Sequence, residues 1–177
     1  MNLKKTRIYA IIGTFIISFL AHFAYETLPN FIFSIIFPVN ESIWEHMKIL
    51  YTSILLYGII DYIILKKNNI KINNFFLNLL IISISSIISY LIIFLPIYYK
   101  MGENMFIAIS IMIISYIISY TISYYILKTK EKNNNVIWIA LIIINYIIFG
   151  ILTYKPIKNQ LFFDTKKETY GIQKREQ

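Results

Sequence analysis

Residues Pro38 to Leu65 read PVNESIWEHMKILYTSILLYGIIDYIIL, and two properties of that run decide the fold. From Ile43 to Leu65 it is as long as a helix needs to cross a hydrocarbon core of roughly 30 Å at about 1.5 Å per residue, and its charges lie near its two ends. A segment of that length and polarity reads as a membrane-spanning helix. Its N-terminal end sets carboxylates, an imidazole and an ammonium beside lipid-facing sequence, where charge is costly and calls for a reason.

Four more apolar runs repeat the pattern: Ile8 to Leu28, Ile72 to Tyr98, Met105 to Leu127 and Val136 to Tyr154. The 177 residues are 58% hydrophobic, which leaves too little polar surface to cover a soluble globule and no room for a soluble domain between the runs. The expected fold is therefore all-α, an integral membrane bundle of five transmembrane helices occupying residues 1–154. A polar tail, residues 155–177, follows. The first run exceeds the about 7 to 15 apolar residues of a signal-peptide core and lacks a small-x-small cleavage site, so it reads as an uncleaved span.

Cations in the connections set the orientation. Lys4, Lys5 and Arg7, then Lys66, Lys67 and Lys71, then Lys128, Lys130 and Lys132 fall on one side, which should be the cytoplasm. Glu41, Lys100 and Glu103 occupy the other. Five spans from an inside N-terminus put the C-terminus outside, although the tail carries Lys158, Lys166, Lys167, Lys174 and Arg175 against Asp164, Glu168 and Glu176. Trp44, Tyr98, Tyr99 and Tyr154 would mark the outer interface, and Tyr62, Tyr124, Tyr125 and Trp138 the inner one. Phe31 to Phe37 is too short to span and should lie in the outer interface or re-enter, ending at Pro38.

The net charge of +8 would suggest an anionic partner in a soluble protein. Here the cations serve orientation, so nucleic acid is excluded as a partner and the lipid bilayer is the expected one. A second copy of the chain is a further candidate. The chain has no Cys, which excludes disulfides, thiolate metal sites and cysteine nucleophiles.

Inside the spans, Ser115, Ser119 and Ser123, Tyr116, Tyr120 and Tyr124, and Ser85 with Ser89 recur at steps of four, which puts each set on one helix face. Close packing through small residues explains them, as interhelical hydrogen bonding explains Asn78 and Asn145. A polar permeation path is the alternative. Asp61 should pair with Lys66 or meet water.

Both histidines belong to the first hairpin. His22 and Glu26, four residues apart, share a face near the end of the first span, and the second span begins on the same side with Asn40, Glu41, Ser42, Trp44, Glu45, His46 and Lys48. Neutral His and ionised carboxylates ligate Zn²⁺ or another divalent metal. Because adjacent helical residues point about 100° apart, the expected metal set is His22, Glu26 and His46 with either Glu41 or Glu45. The remaining carboxylate, Glu41 or Glu45, is then the catalytic candidate, a general base for metal-assisted hydrolysis of a lipid-like or envelope substrate. Small-solute or proton transport is another reading.

A structural reading stands beside these. Ser42 and Glu45 match a capping box, Asn40 or Glu41 can serve the same helix start, Trp44 anchors at the interface, Lys48 pairs with Glu45 or snorkels, and His22 bonds Glu26. The leading expectation is an outward-facing His/Glu cluster that is structural or ligand-binding, in a multi-pass protein of the cell membrane.

The block Pro38 to Lys48, as P-V-N-E-S-x-W-E-H-x-K, resembles the signature of a family of small bacterial multi-pass membrane proteins whose function is unknown. Leu161-Phe162-Phe163-Asp164 and Tyr170-Gly171 are similar to that family's closing elements, with Thr165 where its usual Pro would follow the Asp. The resemblance implies membership and no activity. With both stretches on one side, the tail should fold back over the mouth of the first hairpin.

Overall fold

The computed structural model describes residues 1–172. Five of its helices are long and apolar enough to cross a membrane: α1 (Leu3–Thr27), α3 (Ile43–Lys67), α4 (Phe75–Met101), α5 (Met105–Ile126) and α6 (Asn135–Tyr154). A six-residue helix, α2 (Phe31–Ile36), lies between the first two. After α6 a 3₁₀ turn, Gln160–Phe162, leads into a two-stranded antiparallel ribbon of β1 (Phe163–Asp164) and β2 (Thr169–Tyr170).

Helices α1, α3, α4 and α5 form a ring in which α1 and α4 each touch both α3 and α5, while α6 packs outside on α4 and α2. Of the apolar stretch of α3, 61% is buried against protein, compared with 17% for α6, so α3 is the central rod. Large apolar side chains such as Leu20, Ile59, Ile92 and Ile147 remain exposed, as they should where the solvent is lipid. Since lipid supplies no hydrophobic drive between helices, close approach and interhelical hydrogen bonds must hold the ring. Gly13 supplies the approach, because a Cβ there would overlap the Tyr57 ring. Thr14 to Tyr120 (2.6 Å), Ser18 to Tyr116 (2.7 Å) and Ser85 to Ser119 (3.0 Å) supply the bonds, so Tyr116, Tyr120, Ser85 and Ser119 serve packing, whereas Tyr124 turns to Lys128.

Several local expectations are corrected. Helix α1 begins at Leu3 rather than Ile8, capped by Asn2. That extra turn carries Arg7 into the bundle, where it pairs with Asp61 at 2.6 Å and donates to Ser123 at 2.9 Å. Asp61 thus pairs with Arg7 in place of Lys66 and is 2% exposed, and Arg7 is no solvated loop cation. Asn145 donates to Leu141 O of its own helix and also hydrogen-bonds Tyr51 of α3, as expected of an interhelical residue, whereas both amide atoms of buried Asn78 lack a partner among the described residues.

The short helix α2 leaves carbonyls that water cannot satisfy if they lie at membrane depth. Side chains of α3 take them up: Lys48 Nζ donates to Ser34 O at 2.7 Å and Thr52 Oγ1 to Ile36 O at 2.8 Å. Lys48 also pairs with Glu45 at 2.7 Å, and Thr153 of α6 bridges the two by accepting from Lys48 and donating to Glu45. The Lys48–Glu45 pair is therefore a buried joint between α2, α3 and α6, and Lys48 does not snorkel outward.

Candidate metal centre and its cavity

The start of α3 is organised by its first residues. Ser42 Oγ accepts from Glu45 N at 3.3 Å, half of the expected capping box. The reciprocal bond is absent because Glu45 is committed to Lys48, Thr153 and Val39 N, so Ser42 N turns to Asn40 Oδ1 at 2.9 Å instead. His46, one turn into the helix, then sets its Nδ1 3.0 Å from Ser42 O. A carbonyl only accepts, so that bond requires the proton on Nδ1 and leaves the lone pair of a neutral imidazole on Nε2.

That Nε2 faces Glu41 Oε2 at 3.7 Å, and His22 Nε2 from α1 faces Glu41 Oε1 at 3.6 Å. The rings stack with centroids 5.6 Å apart and planes 18° from parallel. One ligand atom each from His22, Glu41 and His46 lies within 4.8 Å of the others. Two ligands on a tetrahedral ion at about 2.0 to 2.1 Å would stand roughly 3.4 Å apart, close to both His–Glu separations. A lone pair facing a carboxylate is unfavourable unless a proton or a metal ion stands between them. This is the donor set, two His and one carboxylate, that binds Zn²⁺ with a position left open.

Of the expected ligands, His22, His46 and Glu41 come together. Glu26 does not join them; it is exposed on the last turn of α1, where it adds only a weak field at His22. Glu45 is absent from the group as well, being spent in the Lys48 joint, so with Glu41 among the three neither carboxylate is left over as a base.

The tail fixes Glu41. Asp164 is fully buried and accepts from Glu41 N at 3.0 Å and from Lys166 N and Lys167 N at 2.8 and 3.0 Å. Asn40 donates to Gly171 O at 2.8 Å, Trp44 stacks on Phe162, and Thr165 donates to Glu103 at 3.2 Å. Lys166 Nζ pairs with Glu41 at 3.0 Å. Burial alone would raise the Glu41 carboxyl, but the Lys166 hydrogen bond together with His46 and His22 holds it below the usual carboxylate range. The same bond to Glu41 raises Lys166 above the ordinary lysine value.

Behind the triad lies a cavity of about 510 Å³ inside the ring of α1, α3, α4 and α5. His22, Glu41, His46, Glu103 and Lys166 bring its charge, while Phe19, Ile49, Phe94, Ala108, Ile109 and Met112 are among its apolar walls. Glu103 and Lys166 were counted in the sequence only as loop and tail charges. Nothing periodic marks them, because contacts across a loop and a returning tail follow no helical step.

Comparison with known proteins adds one match. The profile of a family described as "Family of unknown function (DUF6512)" covers residues 1–172. No curated protein and no solved structure matches the chain.

Proposed function

The chain belongs to DUF6512, a family of unknown function, and from that premise we propose that it is a membrane protein built around a divalent-metal centre, with His22, Glu41 and His46 as ligands. One observation carries the reading: both Nε2 atoms point at the same carboxylate from 3.6 and 3.7 Å, and the His46 ring is oriented by a backbone carbonyl as metal-bound imidazoles are. The fourth position would face the apolar cavity. With the cationic loops cytoplasmic, this end of the bundle faces outward. Zinc is the first metal to test, since it favours this donor set.

Protein purified in detergent, stripped with chelator and dialysed against Zn²⁺ should take up one equivalent by elemental analysis. His46→Ala and Glu41→Gln should each lose it while still eluting as folded protein. Wild-type protein that stays metal-free, or variants that retain the metal, would remove the proposal.

A second reading, ester hydrolysis, draws support from the open position and from Glu103 on the same cavity wall. Water would add across the acyl C–O bond, its proton passing to Glu103 and on to the leaving oxygen. Metal-loaded protein that binds ligands without turnover would leave the binding reading alone.

A further inference from the structure

Whatever meets the open position of such a centre must also fit the chamber behind it. At about 510 Å³ this chamber falls inside the range of roughly 300–1,000 Å³ typical of small-molecule sites. Its deep walls are apolar, with Leu50 and Met112 beside aromatic Tyr90 and Phe94. Its floor is closed, because the Tyr116 and Tyr120 side chains of α5, 0% and 2% exposed, fill the ring below the cavity and are tied to Ser18 and Thr14 of α1. Solutes have no through-path there. On the α1 and α5 side the rim is apolar and open, with Phe19, Phe23 and Met105 exposed at 44%, 53% and 67%.

Charge is confined to the mouth. Once a divalent ion neutralises Glu41, the charges there are that ion and the Lys166 ammonium, opposed by Glu103. A neutral head would leave this positive charge unmatched, and a dianionic head would meet repulsion from both carboxylates. An apolar blind chamber with a modestly positive mouth and an apolar rim fits one chemistry.

We propose that the cavity holds a single-chain amphiphile with a monoanionic oxygen head, a long-chain carboxylate, its chain among Phe94, Ile109 and Met112 and its head on the metal held by His22, Glu41 and His46. This rests on the metal reading above and extends it to the ligand. Lys166 takes the second head oxygen, and the rim between α1 and α5 admits the chain from the bilayer.

The test uses the full chain in phosphatidylcholine nanodiscs, with a fluorescent polyene fatty acid and the matching fatty alcohol as probes. Each is titrated with Zn²⁺ present and after chelation, and Zn²⁺ uptake is measured on the same samples. The fatty acid should bind saturably and weaken by at least ~10-fold on chelation, as loss of a charge-assisted contact implies, while the alcohol binds weakly and indifferently to metal. Ala108→Phe and Ile109→Trp, which fill the chamber away from the triad, should abolish fatty-acid binding yet keep the metal, and that retained metal shows that they fold. Metal binding without saturable fatty-acid binding would overturn this inference alone. So would equal binding of acid and alcohol, or wild-type affinity in both filled variants. Absence of metal uptake would remove the parent reading and this one together.

Discussion

At the level of single residues, Glu41 and Glu45 have the same functional group four residues apart and opposite fates. Glu45 is buried against Lys48, Thr153 and Val39 N. Glu41 stands half-exposed between two imidazoles and an ammonium. Removing one partner from a buried pair strands a charge, whereas replacing both with apolar groups is far milder. Lys48→Met should therefore destabilise the protein by about 3–5 kcal/mol in detergent unfolding, because it leaves Glu45 unpaired. The double variant Glu45→Leu with Lys48→Met should recover only part of that, since Thr153, Val39 N and the α2 carbonyl of Ser34 also lose partners. Full recovery in the double variant would show that the pair alone, and not the joint, is at stake. The sequence leads one to expect Glu26 and one of Glu41 and Glu45 beside the His pair, and nothing in it chooses between 41 and 45. The choice depends on Thr153 and on the carbonyl of Ser34, which reach Glu45 and Lys48 only after α2 and α6 have packed.

At the level of elements, the spans were legible because length and hydropathy alone specify them: α3 starts at Ile43 and α5 at Met105, where their apolar runs start. The start of α1 was less so. Lys4, Lys5 and Arg7 read as one basic loop, but the helix already runs through them, and rotation sends Arg7 inward to Asp61 while Lys4 and Lys5 stay exposed. Periodicity reports which face is polar and not which polar residue will find a partner. How closely α1 and α3 approach is set by Gly13 against the Tyr57 ring. Gly13→Leu should cost about 1–3 kcal/mol as an overpacked contact, read as a lower melting temperature. Because His22 and His46 lie on these same two helices, it should also weaken Zn²⁺ binding. Adding Tyr57→Ala should restore part of both; no restoration would mean that the helices are held apart by something other than this contact.

At the level of the whole molecule, the tail closes the design. Residues far apart in the chain meet there: Glu41 N on Asp164, Asn40 on Gly171, Trp44 on Phe162 and Lys166 on Glu41. Membrane helices alone would leave Glu41 on a loop free to sample many positions, at a cost in ordering whenever a ligand binds. Asp164 removes that freedom by taking three backbone N–H groups, one from the Glu41 loop and two from the tail's own turn. Gly171 completes the dock at φ +62°, where a Cβ would lie 2.5 Å from Thr153 O. If the tail exists to position Glu41, Asp164→Asn should weaken Zn²⁺ binding by about 10–100-fold, the usual cost of losing a supporting contact around a metal ligand, because an amide offers one acceptor oxygen where the carboxylate uses two. Gly171→Ala should do the same by another route, through strain and a backbone clash. In both variants limited proteolysis should cut the tail sooner while the helical signal in circular dichroism is unchanged. Calorimetric titration with Zn²⁺ decides the matter: a freed tail with undiminished metal affinity would make it a cover over the mouth and nothing more, whereas parallel losses in two variants that share only the dock would tie the ribbon to the centre through Glu41.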